Sequence, residues 1–174
     1  MKQLSVLQWL RMKKNYLFLL IALGVGSLFS VGTVLGDYMR FYDVEGTIFR
    51  IKDCASPNPL MTPCFWGAIA FVVAFFWARR LYYRLERYDM YIYHTSLSVF
   101  LVGGSIFAWT NFMRGYLAFI NHGSKPIIGC SGQLVTNPFE TPCFWGSVLF
   151  SISLVIAIGL WIGLRRSHAT AIIE

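Results

Sequence analysis

Four apolar runs divide the chain and decide which solvent it can fold in. They extend roughly from Tyr16 to Leu35, Cys64 to Tyr83, Tyr91 to Phe112 and Cys143 to Leu164. A helix rising about 1.5 Å per residue needs about 20 residues to cross a hydrocarbon core of about 30 Å. Three runs reach that length outright. In the second, Arg79 and Arg80 arrive early, and their long stems snorkel to the headgroups while Leu81, Tyr82 and Tyr83 continue the helix. Only 13% of residues are charged and 56% are hydrophobic, whereas charge makes up about a quarter of a soluble domain. So few charges cannot cover a water-facing surface of this size. The expected fold is an all-α integral membrane protein of four transmembrane helices, with residues 1–174 as a single membrane domain. The first run is too long for the apolar core of a cleaved signal peptide, and "GDYMRFYD" offers no clean small-residue cleavage site, so the segment is expected to stay.

Lys and Arg are distributed unevenly between the two sides. One side holds Lys2, Arg11, Lys13, Lys14, Arg79, Arg80, Arg84, Arg87, Arg165 and Arg166; the other holds Arg40, Arg50, Lys52, Arg114 and Lys125. The positive-inside bias then places both termini and the central "RRLYYRLER" loop in the cytoplasm, in a plasma membrane of bacterial type. The net charge of +7 is explained by these flanking clusters, with no nucleic-acid partner required.

The chain also repeats itself. "NPLMTPCFWG" from Asn58 and "NPFETPCFWG" from Asn137 match at eight of ten positions, 79 residues apart. "VGSLFSVGTVLGDYMRF" from Val25 aligns without a gap to "GGSIFAWTNFMRGYLAF" from Gly103, 78 residues on. Each half is one helix, one outer loop and one helix, with repeat 1 at about 12–85 and repeat 2 at about 90–166. Two crossings return the chain to its starting side, so the expected layout is two tandem hairpins related as a parallel repeat, with both termini inside. The gapless stretch passes the expected membrane edge. Helices 1 and 3 should therefore run a turn or two further out and stop at Gly46 and Gly123. A short strand is expected in "TIFRI", from Thr47.

Most of the repeated motif reads as helix punctuation. Thr62 and Thr141 cap a helix start, Pro63 and Pro142 take its first position, and Asn58 and Asn137 turn the chain before it. Trp66 and Trp145 suit the membrane interface, and Gly67 and Gly146 would admit a close neighbour.

Cys54, Cys64, Cys130 and Cys143 all fall on the non-cytoplasmic side, two per outer loop, where disulfides persist. Three pairings are possible. The within-loop one, Cys54–Cys64 and Cys130–Cys143, is expected because each half repeats it. Each bridge would stabilise by about 3 kcal/mol through loop closure. The competing reading is redox chemistry, since a sulfur in a first helical turn faces the positive end of the helix dipole.

This layout resembles the bacterial disulfide-generating membrane oxidases of the DsbB type. That resemblance implies four helices, both termini inside, one cysteine pair per outer loop and a bound quinone. The close Cys-x-x-Cys pair of that family, which vitamin K epoxide reductase-like proteins also need, is missing, because Cys64 is followed by Phe65-Trp66-Gly67. No catalytic residue is carried over.

Other chemistry finds little support. His94 reads as an interfacial polar tip; a pigment ligand would want a matching histidine, and Tyr16 holds the equivalent position. No carboxylate is placed at membrane depth, which argues against an ion-coupled transporter. Four thiols lack the short knuckle spacing of a zinc site, so no metal is expected. The small residues of helices 1 and 3, including Gly32 and Gly36, suggest that these two helices pack centrally. Helices 2 and 4 would then turn Phe65, Phe71, Phe75, Phe76, Phe144 and Phe150 to lipid. The expected role is a non-catalytic accessory, assembly or self-associating scaffold subunit with two structural disulfides and no cofactor. Its partners would be the bilayer and other membrane subunits or copies of itself. A quinone-linked thiol–disulfide oxidoreductase and an oligomeric channel or small-molecule carrier are the alternatives.

Overall fold

A computed structural model describes residues 6–47, 49, 57–84, 90–123, 125–129 and 133–173, with side chains placed between 12 and 165. Four long helices dominate: α1 (Val6–Glu45), α2 (Pro63–Tyr82), α3 (Met90–Asn121) and α4 (Pro142–Ile173). Each holds a stretch long and apolar enough to cross a membrane, at Met12–Glu45, Pro63–Tyr82, Met90–Asn121 and Pro142–Arg165. The chain thus has the helices of an integral membrane protein. One-turn 3-10 helices, Pro59–Met61 and Pro138–Glu140, lead into α2 and α4. A two-residue antiparallel ladder, β1 (Ile127–Ile128) on β2 (Leu134–Val135), lies in the second outer loop. So short a ladder shows no periodicity in sequence. The strand expected in "TIFRI" falls largely on Ile48, Arg50 and Ile51, outside the described residues.

The helix ends follow local chemistry. α1 and α3 extend to Glu45 and Asn121, beyond the apolar runs. Gly46 and Gly123 stand just past these ends at φ 68 and 66, the left-handed conformation that glycine adopts without steric cost. Their amides donate back to Tyr42 O at 2.8 Å and Ile120 O at 2.9 Å.

α1 packs along α2 and α3 along α4; the pairs join through α1 against α4 and α2 against α3. The centre is not the expected one. Phe71 of α2 and Phe150 of α4 face each other at the core, ring centroids 3.8 Å apart and each 1% exposed. α1 and α3 form no extensive seam. The glycines explain why. A Cβ at Gly26 would run into the Phe71 ring, and one at Gly104 would stand 2.6 Å from the Phe150 ring. These positions are bare to admit rings from α2 and α4, not to bring α1 onto α3. A Cβ at Gly32 would meet nothing within 4 Å, so the Gly32–Gly36 spacing makes no helix contact there. Of the other phenylalanines expected in lipid, Phe76 is exposed, while Phe65, Phe75 and Phe144 are half-buried.

Candidate functional site

The residues of the repeated motif build two matching helix starts at one end of the bundle. The Asn58 side-chain oxygen accepts from Leu60 N at 2.9 Å, and that of Asn137 accepts from Phe139 N at 3.1 Å. The Thr62 hydroxyl donates to Pro59 O at 2.7 Å and accepts from Phe65 N at 3.4 Å. The Thr141 hydroxyl donates to Pro138 O at 2.6 Å and accepts from Phe144 N at 3.4 Å. Pro63 and Pro142 occupy the first turn, where their missing N–H costs no hydrogen bond. Each construction holds the next residue, a cysteine, in one orientation. The outcome is a contact across the two halves: Cys64 Sγ and Cys143 Sγ lie 3.6 Å apart, both half-buried.

Below the sulfurs a cleft opens among the four helices. It encloses about 470 Å³ between atoms, of which about 50 Å³ admits the centre of a water molecule. That is room for a few waters. Every lining residue has a counterpart in the other half. From α1 and α3, at an offset of 78, come Phe29 with Phe107, Ser30 with Ala108 and Thr33 with Asn111. From α2 and α4, with their leading prolines and at an offset of 79, come Pro63 with Pro142, Cys64 with Cys143, Gly67 with Gly146 and Phe71 with Phe150. The lining is chiefly apolar. Its polar members are partly engaged: Thr33 Oγ1 donates to Phe29 O at 3.0 Å, Asn111 Nδ2 to Phe107 O at 2.8 Å. The Phe71–Phe150 stack lines the cleft where it meets the core.

Gly67 and Gly146 do not act as expected from sequence. A Cβ on either would meet nothing within 4 Å, so no neighbour approaches closely there, and their bareness leaves the cleft its width. Trp66 and Trp145 turn away from the cleft and are half exposed, 57% and 50%.

His94 is also placed differently from its reading as an interfacial tip. It is fully buried. His94 Nδ1 lies 2.5 Å from the Tyr16 hydroxyl, and Nε2 lies 2.9 Å from Ala157 O. A carbonyl only accepts, so Nε2 carries the proton and Nδ1 accepts from Tyr16. One imidazole thereby ties α3 to α1 and α4. Beside it, Trp161 Nε1 donates to Thr95 Oγ1 at 3.0 Å and Tyr91 stacks on Trp161. These bonds are what allow the ring to be buried, since an unpaired buried polar group is costly. Tyr16 and His94 hold equivalent positions in the repeated sequence, and they meet in the core.

Cys54 and Cys130 lie outside the described residues. Among the described residues no group of three His, Cys, Asp or Glu side chains could hold a metal ion. Comparison with known proteins gave no match: no protein-family model, curated protein or solved structure resembles the chain.

Proposed function

We propose that the chain is a membrane thiol–disulfide oxidoreductase made of two like hairpins, with Cys64 and Cys143 as its reacting pair. The observation that carries this reading is the 3.6 Å separation of their sulfurs at the mouth of the shared cleft. A disulfide is about 2.05 Å long, so a small approach of two capped helix starts makes the bond. The pair does in space what a Cys-x-x-Cys does in sequence. Forming the bond releases two protons and two electrons. A lipid-soluble quinone takes up both and leaves as the hydroquinone, and an apolar cleft suits such an acceptor better than a charged one. A dithiol substrate then restores the pair: its thiolate attacks one sulfur, a mixed disulfide forms, and its second thiolate displaces the remaining sulfur.

The layout proposed for this chemistry is N-in/C-in, with the cleft on the non-cytoplasmic side of a bacterial-type plasma membrane. The uneven Lys and Arg count supports it. So does the meeting of the α2 and α4 starts at one end. Within-loop bridges Cys54–Cys64 and Cys130–Cys143 are the competing state of the same sulfurs. Passage from those two bridges to Cys64–Cys143 is thiol–disulfide exchange without net electron transfer when Cys54 and Cys130 become joined in the same exchange.

The test is to reduce the purified chain and add a soluble short-chain quinone. The expected result is one quinone reduced per two thiols lost, with a Cys64–Cys143 cross-linked peptide. Two within-loop bridges that resist reductant, with no quinone consumed, would return the chain to the scaffold reading.

That second reading has an observation of its own. α1 exposes Phe18, Ile21, Val25, Leu28, Leu35 and Met39. They follow alternating steps of three and four residues, with Gly32 at the one small position, and this is the spacing along which a second helix packs. Cross-linking in bilayer discs across this face would show a partner subunit or a second copy.

A further inference from the structure

We infer that the groove between α2 and α3, at the end opposite the cysteines, is a binding site for one anionic phospholipid. The inference needs only a bilayer and is independent of the thiol chemistry.

The groove is far roomier than the cysteine cleft: about 480 Å³ admits the centre of a water molecule, against about 50 Å³ there. α2 contributes Phe76, Trp77 and Arg80, the turn after it contributes Arg84, and Tyr93 faces them from α3. Arg80 lies in the last turn of α2 and Arg84 in the turn that follows it, where Arg84 N donates to Leu81 O at 3.0 Å, and both are exposed. Among the described residues neither has an ion pair. Arg79 turns elsewhere, with its guanidinium over the Tyr83 ring at 6.0 Å. From Arg84 through Arg80 to Trp77 and Phe76, the wall passes from cationic to aromatic in the direction of the bilayer centre. A phospholipid has the same order: an anionic phosphate at the surface, then acyl chain. Two guanidinium forks match the phosphate oxygens, and the rings match the first methylenes.

The other seam of the bundle shows that the fold does not impose this groove. α1 and α4 pack more closely than α2 and α3. The positions corresponding to Arg80 and Arg84 are Gly159 and Gly163, and Asn15 stands where the second half has Tyr93. Every residue of the cysteine cleft has a partner of the same place in the other half; among the described residues the two arginines of the groove have none. A free surface cluster of arginines at a membrane edge needs only water. A cavity with two arginines at its mouth and an aromatic floor fits a charged, two-part molecule.

The full chain in detergent, titrated with phosphatidylglycerol or phosphatidylcholine and read by native mass spectrometry, tests this. The first phosphatidylglycerol should bind at least about tenfold more tightly than phosphatidylcholine. R80Q/R84Q should remove that preference, and R84Q alone should weaken it if the double variant folds poorly. R79Q removes the same charge one position away and should leave the preference intact. Inorganic phosphate at millimolar concentration should not displace the lipid. Equal binding of the two lipids, an R79Q loss as large as that of R84Q, or displacement by inorganic phosphate would overturn the assignment.

Discussion

The two ends of the bundle treat the repeated sequence differently. At the end where α2 and α4 begin, the halves stay alike down to single hydrogen bonds: Asn58 matches Asn137, Thr62 matches Thr141, and their cysteines meet. At the other end the equivalent positions have diverged, Tyr16 against His94, and Arg80 and Arg84 against Gly159 and Gly163. The divergence is used. A histidine carries a donor nitrogen and an acceptor nitrogen on opposite sides of one ring, so His94 accepts from Tyr16 and donates to Ala157 O at once. Likeness is kept where two sulfurs must approach on equal terms; difference appears where two helices must be told apart or a ligand held.

Four experiments would break or sharpen that contrast. The largest effect belongs to the cysteines. C64S and C143S should each lower quinone-linked thiol oxidation by about a hundredfold or more, since a reacting pair acts as a unit; stopped-flow quinone absorbance reads it. Equal losses are expected because the sites are equivalent, and unequal ones would break the likeness of that end. Next comes the asymmetric end. H94L removes both of the ring's bonds and leaves the buried Tyr16 hydroxyl without its acceptor, and should cost about 3 kcal/mol in thermal or denaturant unfolding in detergent, whereas Y16F loses one bond and should cost about 1 kcal/mol. Third, G26A and G104A each drive a methyl into a ring, Phe71 or Phe150, and should each cost about 2 kcal/mol. G67A and G146A meet open space and should barely change stability while narrowing the cleft and slowing the quinone reaction. Smallest, T62A and T141A should cost about 1 kcal/mol each through lost caps, with equal shifts on melting.

Much of this was legible in the sequence. The four apolar runs became the four helices, the gapless alignment agrees with α1 and α3 extending past their apolar runs, and the Thr-Pro-Cys motif gave the caps their partners. Which faces turn inward was not legible. Gly26 and Gly104 signal a close approach, but only geometry shows that the guest is a phenylalanine of α2 or α4 rather than each other's helix. Hydropathy could not help, since Phe71 in the core and Phe76 in lipid are equally apolar. The burial of His94 was hidden for a related reason: its hydrogen-bond partners lie 78 and 63 residues away. The contact of Cys64 with Cys143 required knowing that the starts of α2 and α4 meet across the bundle. With Cys54 and Cys130 nearer in sequence, loop arithmetic favours the other pairing.

The most direct measurement is a non-reducing peptide map of the chain in membranes, after brief reduction and reoxidation by a quinone. Joined peptides containing Cys64 and Cys143 are the expected product, disappearing in both serine variants. A map that holds only Cys54 with Cys64 and Cys130 with Cys143, unchanged by quinone, would contradict a reacting pair at the axis.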